Sequence, residues 1–272
     1  MKIFKNKLSI QKEIYGLKNL SFVPTMGGLH EGHKYLIKKA KAKKGRVAVS
    51  IYVNPKQFDS NADFAAYPRY LKNDLNFLEK MNVDYVFLPD NNDVYSFRTK
   101  KKIFLDHFSN KLCGKFRKNH FKGVLNVVNR FLEILKPKYI FLGEKDFQQL
   151  YLIKKHIKKN KIKTKVVSCK TIREQNGVAC STRNKNLNKK ELKIASNIFK
   201  FLRKEKIKIK TKKTFNKKVN GISKKIKLMG VSQIQYLKVI DVNKLNKKKV
   251  KYKNFKFFIA YYLNRTRLID NV

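Results

Sequence analysis

Along the first 170 positions, short apolar runs alternate with longer segments whose apolar residues recur at helical spacing. Residues 20–24 (LSFVP) are almost wholly apolar, which predicts a short buried strand. The stretch TMGGLHEGH then turns into a segment that keeps Leu36, Ile37 and Ala40 on one helical face, and Gly45 ends it. Residues 47–53 (VAVSIYV) predict a second strand. Strand, glycine-rich turn, helix and strand make a βαβ unit, and this implies a parallel sheet. The alternation continues with a helix at about 68–81, a strand at 83–89, a helix at 123–135 stopped by Pro137, a strand at 139–143, a helix at 148–159 and a strand at 164–170. The pattern predicts an α/β fold, with a Rossmann-like parallel sheet in an N-terminal domain over residues 1–171.

The texture changes after residue 171. Residues 186–228 read as helical and very Lys-rich, whereas 235–241 and 255–263 run apolar like strands. A smaller α+β C-terminal domain over residues 172–272 is expected. The run NKLNKKKVKYKN (243–254) comes nearest to low complexity and reads as a charged turn between two strands. No internal repeat is visible.

Composition narrows the class. Apolar residues make up 42% of the 272 positions and aromatic residues 12%, well above what a disordered chain carries. No run approaches the roughly 20 apolar residues of a membrane span. The opening MKIFKNKLSI is basic but lacks the apolar core of a secretion signal, so a cytoplasmic location is expected. Cys113, Cys169 and Cys180 are scattered, at spacings that fit neither a metal site nor a disulfide framework.

The net charge of +48 by itself suggests a nucleic-acid partner. Two features argue against it. Only 10 of the 66 basic residues are Arg, the residue that bidentate phosphate and base contacts favour. The Lys residues are also spread over the whole chain and accompany abundant Asn, Ile, Phe and Tyr, a set that AT-rich codons produce without selection for binding. No specific nucleic-acid partner is expected, and any binding to polyanions should fade with salt.

Five segments could carry chemistry. Pro24–His33 (PTMGGLHEGH) ends a strand and begins a helix, where glycines let a ligand approach and unpaired helix-start N–H groups favour phosphate. His30 and His33 share one helical face and can donate to phosphate oxygens. Val53–Phe58 (VNPKQF) follows the second strand, and Asn54 and Gln57 there offer amides suited to hydroxyls; a plain Asx-Pro turn is the competing reading. Gly143-Glu144-Lys145-Asp146, with Gln148 and Gln149, follows the fourth strand. Lys145 suits a phosphate and Asp146 a ribose hydroxyl, or Asp146 simply caps the next helix. Ile172-Arg173-Glu174 with Cys180-Ser181-Thr182-Arg183 could make a second phosphate clamp or a solvated interdomain loop. Arg117–Gly123 is a basic loop before a helix.

In order and spacing, PTMGGLHEGH, VNPKQF, Tyr67-Pro68-Arg69, HFKGV, GEKDFQQL and STRN resemble the motifs of the pantothenate synthetases, or pantoate–β-alanine ligases. NRTRLIDN (264–271) looks like that family's terminal strand. The HxGH element is shared with the wider nucleotidyltransferase superfamily, whereas VNPxQF with GEKDxQQL is far more specific. The resemblance implies ATP-dependent joining of pantoate to β-alanine through a pantoyl adenylate, in a homodimer whose C-terminal domain acts as a lid. It implies ATP contacts from Met26, Gly27, Gly28, Leu29, His30, Glu31, Gly32 and His33, with His33 as proton donor and His30 and Lys145 assisting. Further ATP contacts are implied at Gly143, Glu144, Lys145 and Asp146, and at Ile172, Cys180, Ser181, Thr182 and Arg183. Pantoate would meet Gln57, Gln149, Asn54 and Arg117, and β-alanine would meet Gln57. Mg²⁺ would enter with the triphosphate, without a dedicated metal site on the protein. The chain departs from the family with Gly28 for the usual Ala, Lys122 for an Arg, and Cys180-Ser181-Thr182-Arg183 for Leu-Ser-Ser-Arg. Another nucleotidyltransferase, or a basic nucleic-acid-binding protein, are the alternative readings.

Overall fold

The computed structural model describes residues 1–209, 212–242, 245 and 255–272, with the backbone alone for Lys212. The chain divides into two compact units, Met1–Thr171 and Ile172–Val272. Apart from Leu245, the expected charged turn at 243–254 lies outside the described residues.

The first unit begins with β1 (Lys2–Phe4), α1 (Lys7–Glu13), β2 (Leu20–Thr25), α2 (Glu31–Lys41) and β3 (Arg46–Ile51). It continues with α3 (Asn61–Ala65), α4 (Leu71–Lys80), β4 (Tyr85–Phe87), α5 (Asn91–Tyr95), α6 (Cys113–Phe116) and α7 (His120–Leu135). It closes with β5 (Tyr139–Gly143), α8 (Phe147–Lys159) and β6 (Lys165–Cys169). The six strands form one parallel sheet in the order β1-β4-β3-β2-β5-β6. Successive side chains of a strand face opposite ways, so β2 is lined on both faces. Val23 packs with Ile37 and Ala40 of α2 and Leu78 of α4, while Phe22 meets the edge of the Phe131 ring of α7 at 5.7 Å. Burial on both faces is why these central strands read as apolar runs without alternation.

Two elements at the start of the chain lacked a readable pattern. β1 holds only three residues, two of them exposed, and pairs with β4 at the sheet edge. α1 is held by Asn6, whose side chain accepts from the Ser9 N–H at 2.9 Å, and it buries Ile10. The helix expected at 68–81 is shorter, Leu71–Lys80.

The second unit consists of α9 (Lys189–Lys208), α10 (Lys212–Leu228) and an antiparallel sheet of β7 (Gln233–Asp241), β8 (Phe255–Leu263) and β9 (Thr266–Asn271), in that order. Ile198, Leu202, Ile222 and Ile226 of the helices share a core with Leu237, Phe257, Ile259 and Leu268 of the strands. Over its described residues the Lys-rich stretch is thus largely two amphipathic helices, most of whose described lysines are exposed, with Lys206 partly buried. No helix among the described residues is long and apolar enough to cross a membrane. All three cysteines are buried and form no disulfide, and burial raises the Cys169 thiol to about 11.

His156 of α8 is fully buried, and its Nδ1 accepts from the Phe104 N–H at 3.1 Å. Its Nε2 therefore carries the proton, which faces Asn129 Oδ1 at 3.0 Å. Burial lowers this imidazole from its ordinary 6.5 to about 4. Between those values the unfolded chain binds a proton that the folded chain does not. The contribution is whole above pH 6.5 and is lost as pH falls toward 4, reaching about 2–3 kcal/mol. Urea unfolding from pH 7 to 4 should show a shallower loss of stability in His156→Gln than in the parent. Equal slopes would contradict a neutral buried His156.

Candidate active site

Neighbouring strands of the sheet leave in opposite directions at one place. From β2 the chain passes through α2 to β3 on one side, while β5 lies on the other side of β2 and leads on to β6. Such a switch point opens a crevice at the carboxyl ends of the strands. Two of the expected segments end there: Thr25–Gly28 after β2 and Gly143–Asp146 after β5.

The turn after β2 is built on positive φ angles at Gly27 (82°) and Gly28 (64°), a conformation that glycine adopts without strain. Glycine at both positions thereby spares the turn backbone strain. The turn's N–H groups were expected to face a phosphate, but side chains of the protein take them. Gly27 donates to Thr25 Oγ1 at 3.2 Å, and Gly28 and Leu29 each donate to one oxygen of Asp74 at 2.8 Å. His30 donates its N–H to His33 Nδ1 at 3.3 Å, and Gly32 donates to His30 Nδ1 at 3.1 Å. Asp74, in the first turn of α4, is buried and was not foreseen from the sequence. It sits in a polar-looking helix start, and its partners are backbone groups 45 and 46 residues away.

The reciprocal caps fix the histidine tautomers. Each Nδ1 accepts a backbone N–H, so each ring carries its proton on Nε2. The rings lie 4.1 Å apart. Burial, then the neighbouring His30 and then the Lys145 charge, holds His33 well below its usual titration range. His33 is therefore a neutral imidazole at neutral pH, with one N–H donor on Nε2. Lys145, partly buried, lies 3.7 Å from Asp146 Oδ1. A Cβ on Gly143 would meet open space, and its φ is −77°, so nothing in the fold demands glycine there.

The turn Pro55–Gln57 packs beside these loops, and the Gln57 amide points at the Met26 sulfur. Asn54, expected to meet substrate, is 1% exposed and fully used within the protein. Its Oδ1 accepts from Lys56 N at 3.2 Å and Tyr95 Oη at 2.8 Å, and its Nδ2 donates to Gln57 Oε1 at 3.3 Å and Gly123 O at 3.2 Å. An amide offers no more than these four positions, so Asn54 orients Gln57 instead. Arg117 is similarly engaged: Nε binds Asp59 at 2.6 Å, and Nη2 binds the Gln57 carbonyl at 3.2 Å. His120 Nδ1 donates to that same carbonyl at 2.8 Å. Of the two glutamines after β5, Gln148 is buried, binding Phe108 O, Lys111 O and Cys113 N. Gln149 is partly exposed with no side-chain hydrogen bond among the described residues, which leaves it able to meet a ligand.

In the second unit, residues 172–180 form a small hairpin in which Arg173 pairs with Ala179 and Gly177 turns the chain at φ 91°. Arg173 binds Asp270 of β9 with both nitrogens, at 2.8 and 2.9 Å, and lies 3.9 Å over the Phe199 ring. Ile172 and Cys180 are joined by a backbone bond at 2.9 Å. Ser181 Oγ accepts from Arg183 N at 3.3 Å, Thr182 is buried, and the Arg183 guanidinium has no ion pair among the described residues. No group of three or more His, Cys, Asp or Glu side chains converges among the described residues.

The family model described as Pantoate-beta-alanine ligase matches residues 2–272. A pantothenate synthetase of Francisella tularensis subsp. novicida is 38% identical over 267 residues, covering 97% of this chain and 92% of its own length. A crystal structure of pantoate-beta-alanine ligase from Francisella tularensis, complexed with beta-gamma ATP and beta-alanine, superimposes with a TM-score of 0.85 at 36% identity, covering 100% of this chain and 97% of the other. A pantothenate synthetase structure from Thermus thermophilus gives 0.86 at 27% identity, covering 100% and 99%.

Gly123 of α7 is required by close packing. A Cβ there would stand 2.0 Å from the Lys56 carbonyl oxygen and 2.8 Å from Gln57 Cα. Gly123→Ala should therefore push the Gln57 turn away and lower unfolding stability by about 1–3 kcal/mol in urea titration. An unchanged midpoint would show that the turn yields without cost.

Proposed function

The chain belongs to the pantoate-beta-alanine ligase family, and on that premise we propose that it joins pantoate to β-alanine through a pantoyl adenylate made from ATP. The observation that carries this reading is the pair of imidazole Nε2 donors at the switch point, with Lys145 beside them.

The pantoate carboxylate attacks the α-phosphorus of ATP, a phosphorus–oxygen bond to the leaving pyrophosphate breaks, and pantoyl adenylate forms. The amine of β-alanine then attacks the acyl carbon, loses a proton and expels AMP. No covalent bond to the protein is needed, so the protein's work is positioning and stabilising charge. His30 and His33 donate from Nε2 to oxygens that gain charge, and Lys145 adds a point charge. With the Gly27–Leu29 N–H groups engaged by Thr25 and Asp74, these side chains replace a backbone phosphate cradle.

Gln57 and Gln149 hold pantoate, and Gln57 also meets β-alanine. Asn54 and Arg117 act on pantoate indirectly, by fixing Gln57. The open space at Gly143 suits the nucleotide, with Asp146 accepting from ribose. Nucleotide contacts by Ile172 and by Cys180 to Arg183, lid closure and a homodimer rest on the family motifs alone. Lys145 would share with a Mg²⁺ ion brought in by the triphosphate the work of neutralising phosphate charge.

AMP formation that requires pantoate, β-alanine and ATP together tests the whole reading; AMP formed without pantoate would refute it. In His33→Ala, pyrophosphate release should fall on the order of 10²–10³-fold in a folded protein, and an unchanged rate would remove His33 from the chemistry. Gln57→Ala should weaken pantoate binding by roughly 1–3 kcal/mol and leave ATP binding nearly unchanged in calorimetric titration; the reverse pattern would assign Gln57 to the nucleotide. Since His33 works in its neutral form and its titration is depressed, kcat/KM should stay level from about pH 8 down to about 6.5 as far as this group is concerned. A fall centred near the ordinary imidazole value that disappears in His33→Asn would contradict the neutral assignment.

A further inference from the structure

A buried carboxylate is costly unless its oxygens are satisfied. Asp74 is 3% exposed, and among the described residues no Lys, Arg or His pairs with it. Its carboxylate accepts from the N–H groups of Gly28 and Leu29, both at 2.8 Å and one to each oxygen. Charge-assisted bonds of this length are the stronger kind. Fit is tight as well: a Cβ on Gly27 would lie 2.9 Å from Asp74 Oδ2 and 3.2 Å from the Ile51 side chain. The adjacent Gly28 and Leu29 N–H groups converge on one carboxylate, and successive main-chain N–H groups turned to one side of a turn ordinarily collect an anion. Here the anion is part of the protein.

We infer that Asp74 is a positioning residue for adenylation: its carboxylate occupies the anion concavity of the Gly27–Leu29 turn and so fixes the backbone that presents Met26 and His30. The inference rests on the proposed function. The geometry runs in a short line, from the carboxylate to the Leu29 N–H, one residue on to His30, and through the His30 N–H to His33 Nδ1. Released, the turn would let the His30–His33 pair rotate away from the transferred phosphorus. Misplacing a donor by about 1 Å costs on the order of 10²-fold in rate. The carboxylate also fills a site that would otherwise compete with the two imidazoles and Lys145 for a phosphate group.

Asp74→Asn is the discriminating variant. An amide keeps the shape but supplies a single oxygen, and its NH₂ group faces one of the two N–H donors. The kcat for pantoate-dependent pyrophosphate release should fall about 10²-fold, with KM for ATP changed less than about threefold and the protein folded at the assay temperature. A substitution that harms only folding would lower the melting temperature and leave the rate per folded molecule alone; a kcat within about twofold of the parent would overturn the inference. The unsubstituted protein provides a second measurement, independent of whether the variant folds. Its Gly28 and Leu29 amide protons should exchange slowly without nucleotide, and rapid exchange at either would overturn the inference. If the unsubstituted protein makes no pyrophosphate from ATP and pantoate, the functional reading fails, while amide exchange still reports on the turn.

Discussion

Strands β2 and β5 lie side by side, yet the chain leads from them to opposite halves of the sheet. Connections that leave neighbouring strands in opposite directions open a crevice above the strands' carboxyl ends. Whatever follows those two strands in the sequence must line it. The histidine turn follows one and Gly143-Glu144-Lys145-Asp146 follows the other. The Pro55–Gln57 turn joins them from the end of the adjacent strand, β3. The chemistry depends on this divergence before it depends on any side chain.

Within the crevice, hydrogen-bond accounting separates side chains that can meet a ligand from those that hold others in place. Asn54 has all four of its positions filled, Gln148 has three backbone partners, and Arg117 is paired with Asp59. These groups cannot turn to a substrate without giving up bonds in a largely dry setting, where each loss costs roughly 1–3 kcal/mol. Gln149 carries no such commitment among the described residues. Polar residues in one motif therefore divide into those that touch and those that aim, and adjacent glutamines fall on opposite sides of that division.

Much of this was legible in the chain. The central strands are buried on both faces, so LSFVP, VAVSIYV and YIFLG stand out as apolar runs, and the motifs fall directly after them. The parts that stayed hidden have physical reasons. β1 is short, at an edge and mostly exposed, so it carries no apolar signal. Asp74 looks like an ordinary acidic helix start, because its partners are main-chain groups that no residue type reveals. Gly123 reads as part of a basic surface loop, since its need for a missing Cβ arises from a carbonyl 67 residues earlier in the chain. The expectation of unpaired N–H groups at the helix start failed for the same reason: an internal carboxylate answers them.

The bidentate lock between Arg173 and Asp270 has a consequence for the order in which the protein is made. The hairpin at 172–180 is synthesised early in the second unit, but its anchor lies 97 residues later in β9. At about 5–20 residues per second, Arg173 waits roughly 5–20 s for its partner. During that interval its guanidinium has neither Asp270 nor the carbonyl of Asn271 to bind. The first unit can complete its sheet in the meantime, since every strand of it precedes residue 170. The histidine turn can thus mature on the nascent chain well before the segment from Ile172 to Arg183 is anchored, because that anchor waits for β9.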